Sequence, residues 1–248
     1  MQKIVLMVPT YKRIDMLRKL IDSALNTAKD VENIKFAFCV NEKDIDTWKT
    51  ISEQIYFPFG ASQYQIVFEN TNQPNLSLYY NLLYQNLRWK ESNTIVSMVG
   101  DDMQFISPNW DEQIRQNIEY KSIIYLNDDY IAGEKLCVNL FTTRYIVDAT
   151  EKPFMCEKFH AEMIDVVWFN VGNLTGLIKY LPNVILKHNH LMSKNIEDQD
   201  ETYKRLEPLR NMYNNDKENF IYANKYAHIV AFNLINNGIG AWNEIIIK

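Results

Sequence analysis

The first half of the chain alternates short apolar runs with segments whose apolar residues recur at helical spacing. Lys3–Val8 is an almost wholly apolar run closed by Pro9-Thr10, and Ile14, Leu17, Ile21 and Leu25 then follow the period of an amphipathic helix. The same reading predicts a strand over Ile34–Val40, a helix over Asp44–Ile55, a strand over Tyr64–Phe68 and a helix over Ser77–Arg88. Thr94–Val99 is nearly all apolar, as a central parallel strand covered on both faces must be. Ser107-Pro108 reads as the N-cap and first residue of a helix over Asn109–Tyr120. Strand and helix alternating at this interval predict an α/β fold with a mostly parallel sheet flanked by helices.

After Lys121 the pattern loosens. Ser122–Leu126 and Leu136–Phe141 read as strands, the second open to a reversed direction, and Glu157–Phe169 as a mixed, partly helical segment. Val184–Lys187 reads as a short strand, Ile196–Asn211 as polar and irregular, and Tyr222–Ile235 as helix. No repeat or linker divides the chain, so residues 1–248 are expected to form one domain with a less regular C-terminal third.

Composition narrows the class. The 248 residues are 47% hydrophobic and 23% charged, enough apolar material for a real core. No run approaches the roughly 18 apolar residues of a membrane span, and the apolar start is too short for a signal peptide. The three cysteines, Cys39, Cys137 and Cys156, are odd in number and far apart, which argues against a disulfide framework. A cytoplasmic protein is the resulting expectation. The net charge of −5 gives no basic surplus for nonspecific nucleic-acid binding.

Candidate chemistry concentrates at strand ends. Gly100-Asp101-Asp102 follows the apolar strand directly, and ligands of open parallel sheets sit beyond the carboxyl ends of strands. Two adjacent carboxylates there suit a hard divalent cation, although Asp after Gly also makes ordinary turns. Pro9-Thr10-Tyr11-Lys12-Arg13 gathers a hydroxyl, an aromatic and two cations at the first strand's mouth, fit for a base and a phosphate or simply solvated. His188 and His190, two apart, lie on one side of a strand, where they are feasible metal ligands beside Lys194 or surface histidines of an edge strand. Glu162 and Asp165 sit three apart, so that on a helix they share a face where one could act as general base; on spacing alone a solvated face explains them better. Glycine-rich dinucleotide and phosphate-loop fingerprints are absent.

Taken in order, these motifs resemble those of GT-A-fold glycosyltransferases, above all the broad family 2. The carriers are Pro9-Thr10-Tyr11-Lys12-Arg13, the series Asn70, Asn72, Asn75, Ser77 and Asn81, the Asp101-Asp102 couplet, Pro108-x-Trp110-Asp111, Asp165-x-x-Trp168 and the late histidine. The resemblance implies a Rossmann-like GT-A domain with a nucleotide-sugar-binding half over 1–120 and an acceptor-binding half over 121–248. It implies nucleotide-sugar contacts from Pro9, Thr10, Tyr11, Arg13, Asn72, Asn81, Asp101 and Lys194, and from Asn41 or Asp44 after the second strand. Asp102 and His188, with Asp101 and His190 as partners or alternates, would bind Mn2+ or Mg2+, and Asp165 or its competitor Glu162 would be the catalytic base. Glycine at position 100 departs from the fuller Asp-Asp-Asp form.

The implied activity is metal-dependent transfer of a sugar, with inversion, from a nucleotide diphosphate to a glycan or other hydroxyl-bearing acceptor. A composition rich in Asn, Lys, Ile and Tyr is that of AT-rich coding genomes, which keeps a modified nucleobase of phage DNA among the acceptors. Two alternatives stand beside this reading: a nucleotidyltransferase making nucleotide sugars, disfavoured by the glycine-free first loop, and a non-catalytic nucleotide- or glycan-binding module.

Overall fold

β1 (Ile4–Thr10) is buried at every position because its side chains serve two cores, Ile4, Leu6 and Val8 on one face and Val5 and Met7 on the other. In this computed structural model, which describes residues 1–72, 74–130, 132–159, 163–189 and 217–243, β1 pairs in parallel with β2 (Ile34–Asn41). β3 (Tyr64–Glu69) lies parallel outside β2, and β4 (Ile95–Met98) lies parallel on the other side of β1. β5 (Met103–Phe105), β6 (Ile123–Asn127), β7 (Leu140–Thr143) and β8 (Ile178–His188) complete a sheet of order β3-β2-β1-β4-β7-β6-β8-β5. β7 runs against both its neighbours, so β6 and β8 again point the same way as β1 and β4. The carboxyl ends of β1, β2, β4, β6 and β8 therefore share one edge.

The helices are α1 (Ile14–Thr27), α2 (Ile45–Lys49), α3 (Leu76–Gln85), α4 (Trp110–Asn117), α5 (Arg144–Ala149), α6 (Ile164–Thr175) and α7 (Lys217–Asn236). Leu17, Ile21 and Ala24 of α1 join Trp110 and Ile114 of α4 over one face of the sheet. Leu83 of α3, Ile146 of α5, Trp168 of α6 and Ala227 of α7 join over the other. Among the described residues no helix is long and apolar enough to cross a membrane, and Cys39, Cys137 and Cys156 are free and buried.

The expected elements are present with shifted ends. The helix over Asp44–Ile55 is α2 followed by a wider π-type turn at Thr50–Gln54, and the helix over Ser77–Arg88 is α3, capped by Asn75, whose Oδ1 accepts from Leu78 N at 2.9 Å. α4 is not opened by Ser107-Pro108. The Ser107 hydroxyl is committed to β8, donating to Asn183 O at 3.1 Å and accepting from Ile185 N at 2.8 Å, and Asn109 in a left-handed conformation precedes the helix instead. The strand over Leu136–Phe141 starts only at Leu140 and is antiparallel. Val184–Lys187 is the second part of the longer β8. Pro182 has no N–H for the ladder, and the register slips around it, from Leu126 opposite Leu181 to Asn127 opposite Ile185. The segment Ile196–Asn211 lies outside the described residues.

Candidate active site

The acidic couplet forms the turn between β4 and β5, closed by Met103 N donating to Gly100 O at 3.2 Å. Asp102 folds back so far that a Cβ on residue 100 would lie 2.6 Å from its Oδ1. Glycine at 100 therefore leaves room for the Asp102 carboxylate where it stands, and a third acid there would displace that carboxylate. Three residues then build β5, which pairs with the end of β8 so that Met103 faces His188. This pairing brings His188 to the couplet. Its Nε2 lies 3.4 Å from Asp102 Oδ1, and the next residue, Asn189, donates its N–H to Asp102 O at 2.9 Å.

The two carboxylates have different surroundings. Asp101 turns inward: Thr10 Oγ1 donates to its Oδ2 and Arg13 Nη1 to its Oδ1, both at 2.9 Å. Asp102 spans Arg13, 3.5 Å from its Oδ2, and His188 on its other oxygen. Asp101, Asp102 and Arg13 are 4%, 6% and 8% exposed. Burial pushes the Asp101 carboxyl up to about 6, with the Asp102 charge adding and Arg13 and Thr10 opposing. Burial also holds the Tyr80 phenol well above its ordinary value, and the charges of both carboxylates reinforce that.

On the β1 side, Pro9 and Thr10 end the strand and Tyr11 and Lys12 carry the chain into α1. Lys12 has φ +52°, a left-handed conformation that non-glycine residues adopt only when their surroundings hold them. Asp44 does the holding: its Oδ2 accepts Lys12 N at 2.7 Å while its Oδ1 caps α2 by accepting Thr47 N. The Lys12 ammonium stands 5.4 Å from the Tyr11 ring. Asn41 is spent within its own neighbourhood, donating to Glu69 Oε1 at 2.6 Å and accepting Lys43 N at 3.0 Å. Asn72 is exposed in the connection after β3. Asn81, 1% exposed, donates to Met155 O at 2.9 Å and accepts Met155 N at 2.7 Å, so it anchors the segment leading to α6.

Asp165 lies in the first turn of α6, which begins after Met163 at φ +70°. Its Oδ1 accepts Val166 N at 2.8 Å, and its charge adds to burial in keeping the Cys137 thiol protonated. Trp168 of the same motif is a core anchor, 2% exposed, with its indole N–H on Phe154 O at 3.0 Å. Trp110 and Asp111 are likewise structural. The Trp110 indole donates to Ala24 O, and the buried Asp111 carboxylate accepts Lys29 N at 2.7 Å, Asp30 N at 2.9 Å and Arg115 Nη1 at 2.6 Å. The structure thus gathers Thr10, Arg13, Asp101, Asp102 and His188, with Asp44 bracing the loop between Thr10 and Arg13. Glu162, His190 and Lys194 lie outside the described residues. Sequence reading did not anticipate β5 or the steric part of Gly100. A glycine directly before the couplet was the available signal for the second.

No protein-family model and no curated protein matches the sequence. Solved structures do. S. aureus TarS in complex with UDP superposes with a TM-score of 0.56 at 9% identity, covering 75% of this chain and 59% of that one. TarS in complex with UDP-GlcNAc gives 0.55 at 9% identity over 95% and 73%. The mannosyltransferase PcManGT of Pyrobaculum calidifontis, in complex with GDP-Man and Mn2+, gives 0.54 at 9% identity over 96% and 76%. Against a longer TarS structure the chain spans 45% of that chain's length. Identities this low speak for architecture alone. With its parallel strands meeting an acidic turn at one edge and its antiparallel β7 in the same sheet, this chain has the GT-A glycosyltransferase fold.

Proposed function

We propose that the chain is a glycosyltransferase that moves a sugar from a nucleotide diphosphate to an acceptor hydroxyl, with inversion, using Mn2+ or Mg2+. The observation that carries this reading is the junction of Asp101, Asp102, Arg13 and His188 at the carboxyl edge of the parallel strands. Arg13 bridges the two buried carboxylates, and His188 lies on the other oxygen of Asp102. Among the described residues no three His, Cys, Asp or Glu side chains form a metal cage. Asp102 Oδ1 and His188 Nε2 are instead a two-donor set, which suits an ion that takes its remaining ligands from water and substrate phosphates. The residues fit such an ion: Asp102 and His188 would hold it, with Asp101 in support and His190 as alternate. When bound, it supplies positive charge against the charge that develops on the departing diphosphate.

The remaining roles belong to the chain's own side chains. Tyr11 offers a flat ring to the nucleotide base, and Arg13 keeps Asp101 and Asp102 in place while lending positive charge to the diphosphate side. Pro9, Thr10, Asp44 and Asn41 fix the backbone on which these groups stand, Asn72 and Lys194 complete the proposed donor contacts, and Asn81 acts by positioning the segment that leads to α6. Asp165 removes the proton from the attacking acceptor hydroxyl, Glu162 being its competitor. The nucleotide sugars bound by TarS and PcManGT support the donor class, and the Mn2+ of PcManGT supports the cofactor.

The test is thermal stability in a panel of UDP, GDP, UDP-GlcNAc and GDP-Man, each with and without Mn2+. A ligand that binds only the folded chain raises its melting temperature. At least one member should do so, and only with the metal. No stabilisation by any member under either condition counts against the proposal.

A further inference from the structure

Sheet order divides the edge of the molecule at β4. To one side lie β1 and β2 with Tyr11 and Asp44, to the other β6 and β8 with His188. A ligand anchored at Asp102 with its nucleotide over β1 and β2 must extend its sugar towards β6 and β8. The loop leaving β6 is fastened to that spot, because His188 N donates to Asp128 O at 2.9 Å while Asn189 N holds Asp102 O. Asp128 shapes the loop through its Oδ1, which accepts Gly133 N at 2.9 Å. Asp129 follows in a left-handed conformation, φ +50°. Tyr130 comes next, its ring edge-on to the His188 imidazole at 6.4 Å and 66°, yet 41% exposed. An aromatic face is thus held at the sugar side of the couplet. Beside it Asp129 and Lys187 face one another at 3.9 Å, each about half exposed.

We propose that Tyr130 is the platform for the acceptor and that the acceptor is a carbohydrate. This rests on the glycosyltransferase reading above and names the substrate of that site. The negative face of an aromatic ring suits the C–H face of a pyranose, and Asp129 and Lys187 offer an acceptor and a donor to its hydroxyls. A nucleobase could stack on the same ring, but a nucleic acid would bring its phosphates onto a surface where Asp129, Glu134 and the buried Asp128 outnumber Lys135 and Lys187. The carbohydrate is the occupant that the local charge favours.

The experiment is saturation-transfer NMR on the full chain with Mn2+ and UDP or GDP. The probes are chitobiose, cellobiose, maltose and mannobiose, with a single-stranded oligonucleotide in parallel. At least one disaccharide should receive saturation. Tyr130→Ala should weaken that contact about tenfold, Tyr130→Phe should keep it within about twofold, and neither should change the Mn2+-dependent nucleotide stabilisation. Three results overturn the proposal while leaving the glycosyltransferase reading intact: nucleotide stabilisation with no disaccharide bound, equal disaccharide binding in Tyr130→Ala, or contact with the oligonucleotide alone. Loss of nucleotide stabilisation in Tyr130→Ala would move the ring to the donor site and overturn it too. Absence of nucleotide stabilisation in the wild-type chain would remove the underlying reading and this proposal with it.

Discussion

Gly100→Ala separates the site from the fold. The added Cβ would lie 2.6 Å from Asp102 Oδ1, so the carboxylate must retreat by about 0.8 Å to reach ordinary contact. The obstructing atom is the end of a rotatable side chain. The stability cost is therefore that of an off-rotamer side chain, roughly 0.5–1.5 kcal/mol, or about 1–6 °C in a chain of this size. Metal ligation tolerates only about 0.2 Å of error, so the same shift takes Asp102 out of the ligating position proposed for it. A loss of about 100-fold in metal-dependent nucleotide affinity follows, the upper end of what disturbed support of a ligand costs. At a nucleotide concentration about 100 times the wild-type Kd, stabilisation is about 2.7 kcal/mol; a 100-fold weaker variant retains about 0.4 kcal/mol. The assay is the melting temperature with and without Mn2+ and the best nucleotide of the panel. A shift of about 5–11 °C in the wild type should fall to about 1 °C in Gly100→Ala. An undiminished shift would refute the claim that glycine is there to admit the Asp102 carboxylate.

Other perturbations address single roles. Because burial raises the Asp101 carboxyl to about 6 in the folded chain, the fold binds more protons than the unfolded chain between roughly pH 4 and 6. That contribution is present at low pH and lost as pH rises through 6, so in EDTA the wild type should lose stability relative to Asp101→Asn across that window; parallel melting curves would contradict it. Asp165→Asn should keep the Mn2+-dependent nucleotide shift and remove sugar transfer, and normal turnover would pass the base role to Glu162. Asp111→Ala takes the carboxylate from Arg115 Nη1 and from two backbone N–H groups and should cost about 3–5 kcal/mol, a fall of about 6–20 °C, without changing nucleotide affinity per folded chain. A drop under about 2 °C would show that Asp111 is not the brace the geometry makes it.

What the sequence revealed follows from how local each signal is. β1 and β4 were readable because side chains buried on both faces leave near-continuous apolar runs, and Asp101 and Asp102 stood out because they end such a run. His188 was recognisable as a ligand type but not as the neighbour of Asp102. That contact depends on β5, three residues long, and on a strand whose ladder is interrupted at Pro182. Trp110, Asp111 and Asn81 show the opposite case. They belong to the motifs that carried the resemblance, yet their side chains are committed to backbone groups of Ala24, Lys29, Asp30 and Met155, far away in sequence. Such tertiary hydrogen bonds leave no periodicity to read. Ser107 misled for the same reason, its hydroxyl being drawn from a helix cap to β8.

The proposed activity depends on a cation held between Asp102, His188 and a diphosphate. Titrating Mn2+ into the chain with UDP or GDP, and reading free ion by its electron paramagnetic resonance signal, tests that sharing directly. The wild type should take up about one Mn2+ per chain only when the nucleotide is present, Asp102→Asn should take up none, and His188→Ala should bind about 10–100-fold more weakly. Equal uptake by Asp102→Asn, or a nucleotide held just as tightly in EDTA, would contradict it.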